Sequence, residues 1–244
     1  AAGLTLPWGL PASAQAWPAK PIRLVSPYGA GGSNDILTRV LGDFLSRRLG
    51  QSIVVENKAG AGTRIANDYV AKAAPDGYTL LHAAAAIAIG EALYKDLPYD
   101  VHKSFAAIGS TAIAPLFLVV NAQAPYKTLA EFIQYAKANP KGATFGSPGA
   151  GSAPHLTAEL LLRAAGAKGL VVQYRGDAPA YTELLAGRID ATLTAISTAV
   201  PHIQAGKLRV LGVANEERTP LYPDAPTLRE QGLPTLVGYG WYGM

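Results

Sequence analysis

Short apolar strands, glycine-containing turns and amphipathic helices alternate along this sequence, and this alternation restricts the fold more than any other feature. The first unit joins a strand, a glycine turn and a helical apolar stripe that runs from Ile36 to Leu49. Ser33 or Asn34 is predicted to cap that helix, and Gly50 to end it. Further strands are predicted near 53–55, 78–82, 105–110, 116–120, 144–146, 170–174, 189–194 and 208–214. Strands that alternate with helices predict an α/β fold with largely parallel sheets.

The chain also divides into sections. Residues 121–215 form a self-contained run of alternating strands and helices, and the sections before and after this run could form a second lobe. Within the run, Thr128-Leu129-Ala130-Glu131 is a capping box, which predicts a helix that begins there and continues to about Ala138. The sequence therefore predicts two α/β lobes.

Composition excludes several classes of protein. With 244 residues, 49% of them hydrophobic, the chain can bury a core, and without cysteine it has no disulfide framework and no thiolate chemistry. Its four histidines are scattered and form no metal-binding pair, so we expect no metal and no cofactor, although carboxylate metal sites stay open. The net charge of +4 is dispersed, which argues against a nucleic-acid partner or a membrane surface.

The first 16 residues differ from the rest. They carry no charge, are small and apolar, and end in Ala14-Gln15-Ala16. This pattern is typical of the apolar region and A-x-A cleavage site of a secretory signal, the alternative being a simple apolar tail. We interpret residues 1–16 as a signal-peptide remnant, so that the mature protein begins at Trp17 and works outside the cytoplasm.

Three glycine-containing turns each follow a predicted strand and open a predicted helix, at 27–33, 146–152 and 174–178. Glycine lets the backbone approach a ligand closely, and the N–H groups at a helix start favour an anion. Ligands of parallel α/β sheets bind at the carboxyl ends of strands, where these turns lie. Each turn taken alone could be an ordinary connection between a strand and a helix, but together they indicate an anion site.

Familiar enzyme motifs do not fit these turns, since the chain has no G-x-G-x-x-G, no P-loop lysine motif and no G-x-S-x-G. Ser152 and His155 stand one helical turn apart and could form a nucleophile pair, but a helix N-cap beside a packed histidine explains them better. Asp177 is interpreted as an N-cap, with a partner for a ligand ammonium group as the alternative. Arg64 and Arg175 stand at helix starts, where they could bind a carboxylate or be solvated.

These motifs together resemble one known family, the extracytoplasmic solute-binding receptors of tripartite tricarboxylate transporters, called Bug or TctC-like proteins. The resemblance covers nearly everything from Trp17 to Met244. It rests on the stretches WPAKPIRLVSPYGAGGSNDI, LGQSIVVENKAGAG, AKAAPDGYTLL, LYKDLPYD, FGSPGAGSAPHLTAELL, VVQYRGDAPAYTELLAGRID, VPHIQAGKLRVLGVA and ERTPLYPDAPTLREQGLP.

The resemblance implies a type II periplasmic-binding-protein fold, with two α/β lobes around a ligand cleft. Lobe 1 would comprise 17–120 and 216–244, and lobe 2 would comprise 121–215. The family usually continues past a W-x-G segment like that at 241–243, so the C-terminal part of lobe 1 is expected to be missing here. The implied activity is periplasmic capture of a small organic carboxylate by a monomer, without catalysis. The implied partner is a transporter permease or, alternatively, a signalling sensor.

The resemblance also implies which residues bind the ligand. The turns after the first strand of each lobe would grip a carboxylate through backbone amides, hydroxyls and bridging waters, and 175–177 would supply a third turn. The implied ligand-binding residues are Tyr28, Gly31, Gly32, Ser33, Asp35, Ser147, Gly149, Ala150, Gly151, Ser152, His155, Gly176 and Asp177.

One departure from the family concerns the ligand. The segment after Leu81 is commonly rich in Ser, Thr and Asn in the family, whereas here 83–86 is a run of four alanines. A second buried charge against this wall would lose its hydration without compensation, whereas apolar surface would gain from burial. We therefore expect an acid with a substantial aliphatic or aromatic body over a compact polyacid such as citrate, unless Arg64 reaches the cleft.

Overall fold

A computed structural model describes residues 17–244, so the predicted signal-peptide remnant lies outside the described residues. The first sheet is parallel, with the order β2-β1-β3. Its strands are β1 (Ile22–Ser26), β2 (Ile53–Asn57) and β3 (Thr79–Leu81). Helices α1 (Ser33–Leu49) and α2 (Arg64–Ala71) make the crossovers, and a 3₁₀ turn at Ala61–Thr63 precedes α2. This is the predicted parallel α/β arrangement.

The second sheet is mixed. Its order is β4-β10-β5-β8-β6-β7, with β9 also paired to β5. The strands are β4 (Ala83–Ala84), β5 (Ser110–Asn121), β6 (Ala143–Ser147), β7 (Gly169–Gln173), β8 (Ala191–Ala195), β9 (Leu208–Val213) and β10 (Tyr239–Gly243). The helices between them are α3 (Ala86–Leu93), α4 (Leu129–Ala138), α5 (Ala153–Ala165), α6 (Asp177–Leu185) and α7 (Ile196–Gln204). Strand β6 is parallel to β7 and β8, whereas β5 is antiparallel to its neighbours.

Strand β5 connects the two halves of the molecule. It pairs with β10 up to Pro115 and with β8 and β9 from Leu116 onwards. The predicted strand near 105–110 is wrong over most of its length, because β5 begins only at Ser110. Phe105 instead packs edge-on against Tyr99 at 5.7 Å between ring centroids, in a loop. Its side chain is therefore half-buried against a local apolar cluster and does not belong to a sheet.

The largest core lies between the second half of β5, β6, β8 and the helices α4 and α5. Phe132 and Phe145 are fully buried there and meet edge to face, with 5.6 Å between their ring centroids. The predicted capping box at the start of α4 is confirmed, since Thr128 Oγ1 accepts the Glu131 N–H at 3.2 Å and Glu131 Oε2 accepts the Thr128 N–H at 3.3 Å.

The apolar stripe of α1 does not lie in the core. Ile36, Val40 and Phe44 are 37%, 62% and 49% exposed, and the buried side of the helix carries small and polar residues such as Thr38 and Gly42. Gly42 allows close packing, because a Cβ there would lie 3.3 Å from Ile53 Cγ2. Thr38 is buried because its hydroxyl donates to the Asn34 carbonyl at 2.6 Å and lies 2.7 Å from His82 Nδ1, within the same half of the molecule.

The ends of α1 were only partly predictable. Gly50 ends the helix in the left-handed conformation, as predicted, with φ of 66°. The N-cap, however, is Gly32 and neither Ser33 nor Asn34, and no side chain caps it from that position. The Asn34 side chain instead accepts from Ser26 Oγ at 2.6 Å and donates to the His82 carbonyl at 3.0 Å. The side chain that the local pattern predicted to cap the helix therefore makes hydrogen bonds to residues distant in the sequence instead.

Among the described residues 17–244, no helix has both the length and the apolar character that crossing a membrane requires.

Candidate functional site

Five helices begin at one small cavity between the two sheets. Its lining contains the first residue or N-cap of α1 (Ser33), α3 (Ala86), α5 (Ser152), α6 (Asp177) and α7 (Ala195). The first N–H groups of a helix lack intrahelical partners, and the helix dipole places partial positive charge there. Convergence of these termini makes the cavity electrostatically suited to an anion.

The first glycine turn is held in shape by Asp35. The Gly31 N–H donates to Asp35 Oδ2 at 2.9 Å, and Asn57 Nδ2 donates to Asp35 Oδ1 at 2.8 Å. Burial alone would raise the pKa of Asp35, but hydrogen bonds from Arg39, the Gly31 amide and Asn57 hold that pKa below its usual value. Gly31 and Asp35 therefore shape the turn, while Ser33 at its end lines the cavity.

The second turn is built around a helix cap. Ser152 Oγ accepts the His155 N–H at 3.3 Å and lies 3.1 Å from Ser147 Oγ, which is buried beneath the turn. His155 Nδ1 accepts the Gly151 N–H at 3.1 Å, so the imidazole is bonded to the backbone and not to the Ser152 hydroxyl. The N-cap interpretation is confirmed by this geometry. Ser152 lines the small cavity, whereas His155 stabilises the turn behind it.

The third turn crosses to the first. The Gly29 N–H donates to the Arg175 carbonyl at 3.1 Å, and Asp177 Oδ2 accepts from both the Ser33 N–H at 2.8 Å and Ser33 Oγ at 2.9 Å. The expectation that Asp177 caps its own helix is wrong, because Gly176 is the N-cap of α6 and Asp177 is its first residue. Asp177 instead caps α1. Its close fit depends on Gly176, where a Cβ would lie 3.2 Å from the Gly29 nitrogen.

The rest of the cavity wall is largely apolar. It includes the alanine run at 84–86, together with Leu116, Pro154 and Trp241. Two hydroxyls, those of Tyr28 and Tyr242, complete it. Burial raises the pKa of both phenols, and the neighbouring Asp177 raises them further, so both stay protonated and available as hydrogen-bond donors.

A larger cavity of about 430 Å³ lies beside the small one, which measures about 30 Å³. Tyr28 and Pro148 line both cavities. Arg64 lines the larger one, where its guanidinium lies 4.0 Å from the centroid of the Tyr94 ring and its Nε donates to the Ala61 carbonyl at 2.9 Å. Arg64 is thus placed outside the small cavity.

The structure distributes the predicted site residues among three places. Tyr28, Ser33, Ser152 and Asp177 line the small cavity. Gly149 and Ala150 line the larger cavity, and Tyr28 lines it as well. The others lie within or behind the turns, and these are Gly31, Gly32, Asp35, Ser147, Gly151, His155 and Gly176.

Sequence reasoning missed part of the lining. Asn34, Leu116, Pro154, Ala195 and Tyr242 all reach the small cavity. The W-x-G segment was the one sequence feature that drew attention to Tyr242, but it did not indicate that this side chain lies beside the first glycine turn. Within residues 17–244, no group of three or more His, Asp or Glu side chains is arranged to hold a metal ion.

The match to a family model decides the classification. Residues 37–244 match the model described as "Tripartite tricarboxylate transporter family receptor". The chain belongs to this family. It is 36% identical over 236 residues to Protein BugT of Bordetella pertussis, a match that covers 96% of this chain and 72% of BugT.

Solved structures agree with this family membership. The periplasmic binding protein BugD superposes with a TM-score of 0.89 at 33% identity, over 93% of this chain and 76% of BugD. The R. palustris protein Rpa4515 with adipate superposes with a TM-score of 0.90 at 32% identity, over 93% of this chain and 77% of that one. The receptor therefore has the two-lobe fold of periplasmic binding proteins, and this family consists of solute-binding proteins and not of enzymes.

Proposed function

We propose that this receptor captures a small organic carboxylate in the cleft between its lobes and delivers it to the membrane permease of a tripartite tricarboxylate transporter. The observation that carries the proposal is the convergence of five helix N-termini on one cavity. The Ser152 hydroxyl and the two tyrosine hydroxyls add hydrogen-bond donors to these amides. The similar protein Rpa4515 is named with adipate, an organic carboxylate.

Capture requires the lobes to move. The small cavity measures about 30 Å³, which is room for water and far less than an organic acid needs. The ligand would therefore enter with the lobes apart, and closure would bring the first and third turns together around it, in a cavity wider than the one seen here. With the lobes at 17–120 with 216–244 and at 121–215, the hinge would lie near Asn121 and Asn215, where the chain crosses between the lobes.

The location follows from the same proposal. A receptor that supplies a membrane permease in this way works in the periplasm, as the name of the similar protein BugD states for that protein. The apolar, uncharged residues 1–16, which end in Ala-Gln-Ala, would be the remnant of the export signal.

The apolar part of the cavity wall suggests what the rest of the ligand is like. Ala84, Leu116, Pro154 and Trp241 offer apolar contacts, and each Å² of apolar ligand surface buried there contributes about 25 cal/mol. Arg64, the residue that could rescue a second carboxylate, lies beside Tyr94 in the larger cavity. We therefore propose an acid with an aliphatic or aromatic body as the preferred ligand over a compact polyacid.

The test is a thermal-shift screen over mono-, di- and tricarboxylates, amino acids and aromatic acids, followed by calorimetry. We expect the largest shifts from acids with an apolar body, and tighter binding of benzoate-type acids than of citrate or glutamate. Tighter binding of citrate would contradict the ligand class, and no shift from any acid would contradict carboxylate capture.

Transport is tested separately, by uptake of the labelled acid in cells with and without the receptor gene. Loss of uptake would support delivery to a permease. Unchanged uptake with loss of a transcriptional response to the acid would instead indicate a sensor partner.

A further inference from the structure

Asp177 is the one charged side chain among the residues that line the small cavity in the described part of the chain. Its Oδ2 already accepts two hydrogen bonds from Ser33, one from the backbone N–H and one from the hydroxyl. The protein's own carboxylate therefore stands at the positive end of α1, in the position that a ligand carboxylate would take.

The other helix starts at the cavity are arranged differently. Within residues 17–244, no hydrogen bond of the first turns of α3 and α5 involves a carboxylate. Ala85 and Ala86 at α3, and Ser152 and Ala153 at α5, line the cavity. The start of α3 and the Ala153 N–H of α5 remain able to receive an anion from outside, whereas Pro154 has no N–H and the His155 N–H is bonded to Ser152 Oγ.

We infer that Asp177 determines specificity by occupying the α1 position itself, so that the site selects acids with one carboxylate and rejects those with two. The inference rests on the proposed carboxylate capture. A ligand carboxylate would bind at α3 and α5, and the remainder of the ligand would face Asp177. A second carboxylate at that end would meet a like charge, or would have to displace Asp177 and leave its charge partly buried without a partner.

Two substitutions separate charge from shape at this position. Asp177→Asn removes the charge but keeps an oxygen that can accept from Ser33. Asp177→Ala removes both and leaves the α1 amides open to a second anion. Glu183→Gln is the matched control, because it removes one negative charge from the same helix α6 at a residue paired with Arg188, outside the cavity lining.

The experiment compares hexanoate with adipate, which have the same carbon chain but carry one and two carboxylates. We expect the wild type and Glu183→Gln to bind hexanoate at least tenfold more tightly than adipate. In Asp177→Ala, adipate affinity should rise at least tenfold while hexanoate affinity changes less than threefold, and Asp177→Asn should give a smaller gain. An unchanged hexanoate-to-adipate ratio in both variants overturns the inference.

A second readout needs no ligand. Amide hydrogen exchange measured by NMR should be slow at the Ser33 N–H in the wild type and in Asp177→Asn, and at least tenfold faster in Asp177→Ala. Equal exchange rates in all three proteins would overturn the inference. It would also be overturned if the wild type bound an amino acid and Asp177→Asn did not, because Asp177 would then be a partner for the ligand's ammonium group. If the wild type binds no acid at all, the proposed function fails as well, whereas binding with an unchanged ratio removes this inference alone.

Discussion

If the lobes close as proposed, closure depends on a close backbone contact at Gly29, and substitution there tests closure without changing a side chain of the site. A Cβ added at Gly29 would lie 2.6 Å from the Arg175 carbonyl oxygen, which belongs to the third turn across the cleft. The backbone of Gly29 is outside the left-handed region, so alanine fits its conformation. Gly29→Ala should therefore leave each lobe folded and obstruct only the closed state.

The size of the effect follows from the contacts that a shift of the turn would break. Ordinary van der Waals contact begins near 3.4 Å, so the two turns would have to separate by most of an ångström. That movement removes the Gly29–Arg175 hydrogen bond and weakens the two bonds from Ser33 to Asp177. Each bond contributes about 0.5–1.5 kcal/mol net, so we expect a loss of about 1–3 kcal/mol. This loss corresponds to about 5- to 150-fold weaker binding.

The assay is calorimetric titration with the best acid from the screen, together with thermal unfolding of the free protein. Gly109→Ala is the matched control, because it makes the same substitution at a glycine outside the left-handed region with no heavy atom within 4 Å of the added Cβ. We expect Gly29→Ala to lose affinity while both variants unfold at the wild-type temperature. Wild-type affinity in Gly29→Ala would refute the argument that these two turns meet in the bound state.

Three further predictions follow from the structure. Gly151→Val should weaken binding at least tenfold in calorimetry, because the φ of 77° at this position strains valine and a Cβ would lie 2.9 Å from Leu93 Cδ1. Gly187→Val controls for backbone strain alone, because Gly187 has a φ of 68° and open space around the added Cβ. Normal binding by Gly151→Val would show that the second turn is not part of the site. X-ray scattering of the full-length protein should show a smaller radius of gyration with ligand, and an unchanged radius at saturation would count against closure. Burial lowers the pKa of His82 to about 4, below its usual 6.5. The free energy of unfolding that neutral His82 provides is thus complete above pH 6.5 and is lost as the pH falls towards 4, by up to about 3 kcal/mol. The free energy of unfolding measured in urea should therefore depend less on pH in His82→Gln than in the wild type. Equal dependence on pH in the two proteins would contradict this.

Much of the fold could be predicted because its signals are local. Apolar runs of strand length, glycine turns and the capping box at Thr128 and Glu131 depend on neighbours a few residues apart, and the structure confirms them with small shifts at the ends. The same holds for Ser152 as the cap of α5, since its partner His155 stands three residues away. Composition excluded several classes of protein, and the resemblance carried by the motifs implied a binding protein before any contact was known.

Contacts between distant residues decided the rest. Asp177 and Ser33 are 144 positions apart, so nothing in the local pattern distinguished a cap for its own helix from a cap for another. Likewise, Tyr242 reaches the cavity only because β10 pairs with β4 and β5 in the completed sheet. The apolar stripe of α1 misled for a related reason, because periodicity shows that a helix has an apolar side but not which side packs. The sequence by itself therefore determined the elements and the class of protein, and the tertiary structure alone decided which groups meet in the cleft, because each of those contacts joins residues whose chain separation exceeds the range of any local signal.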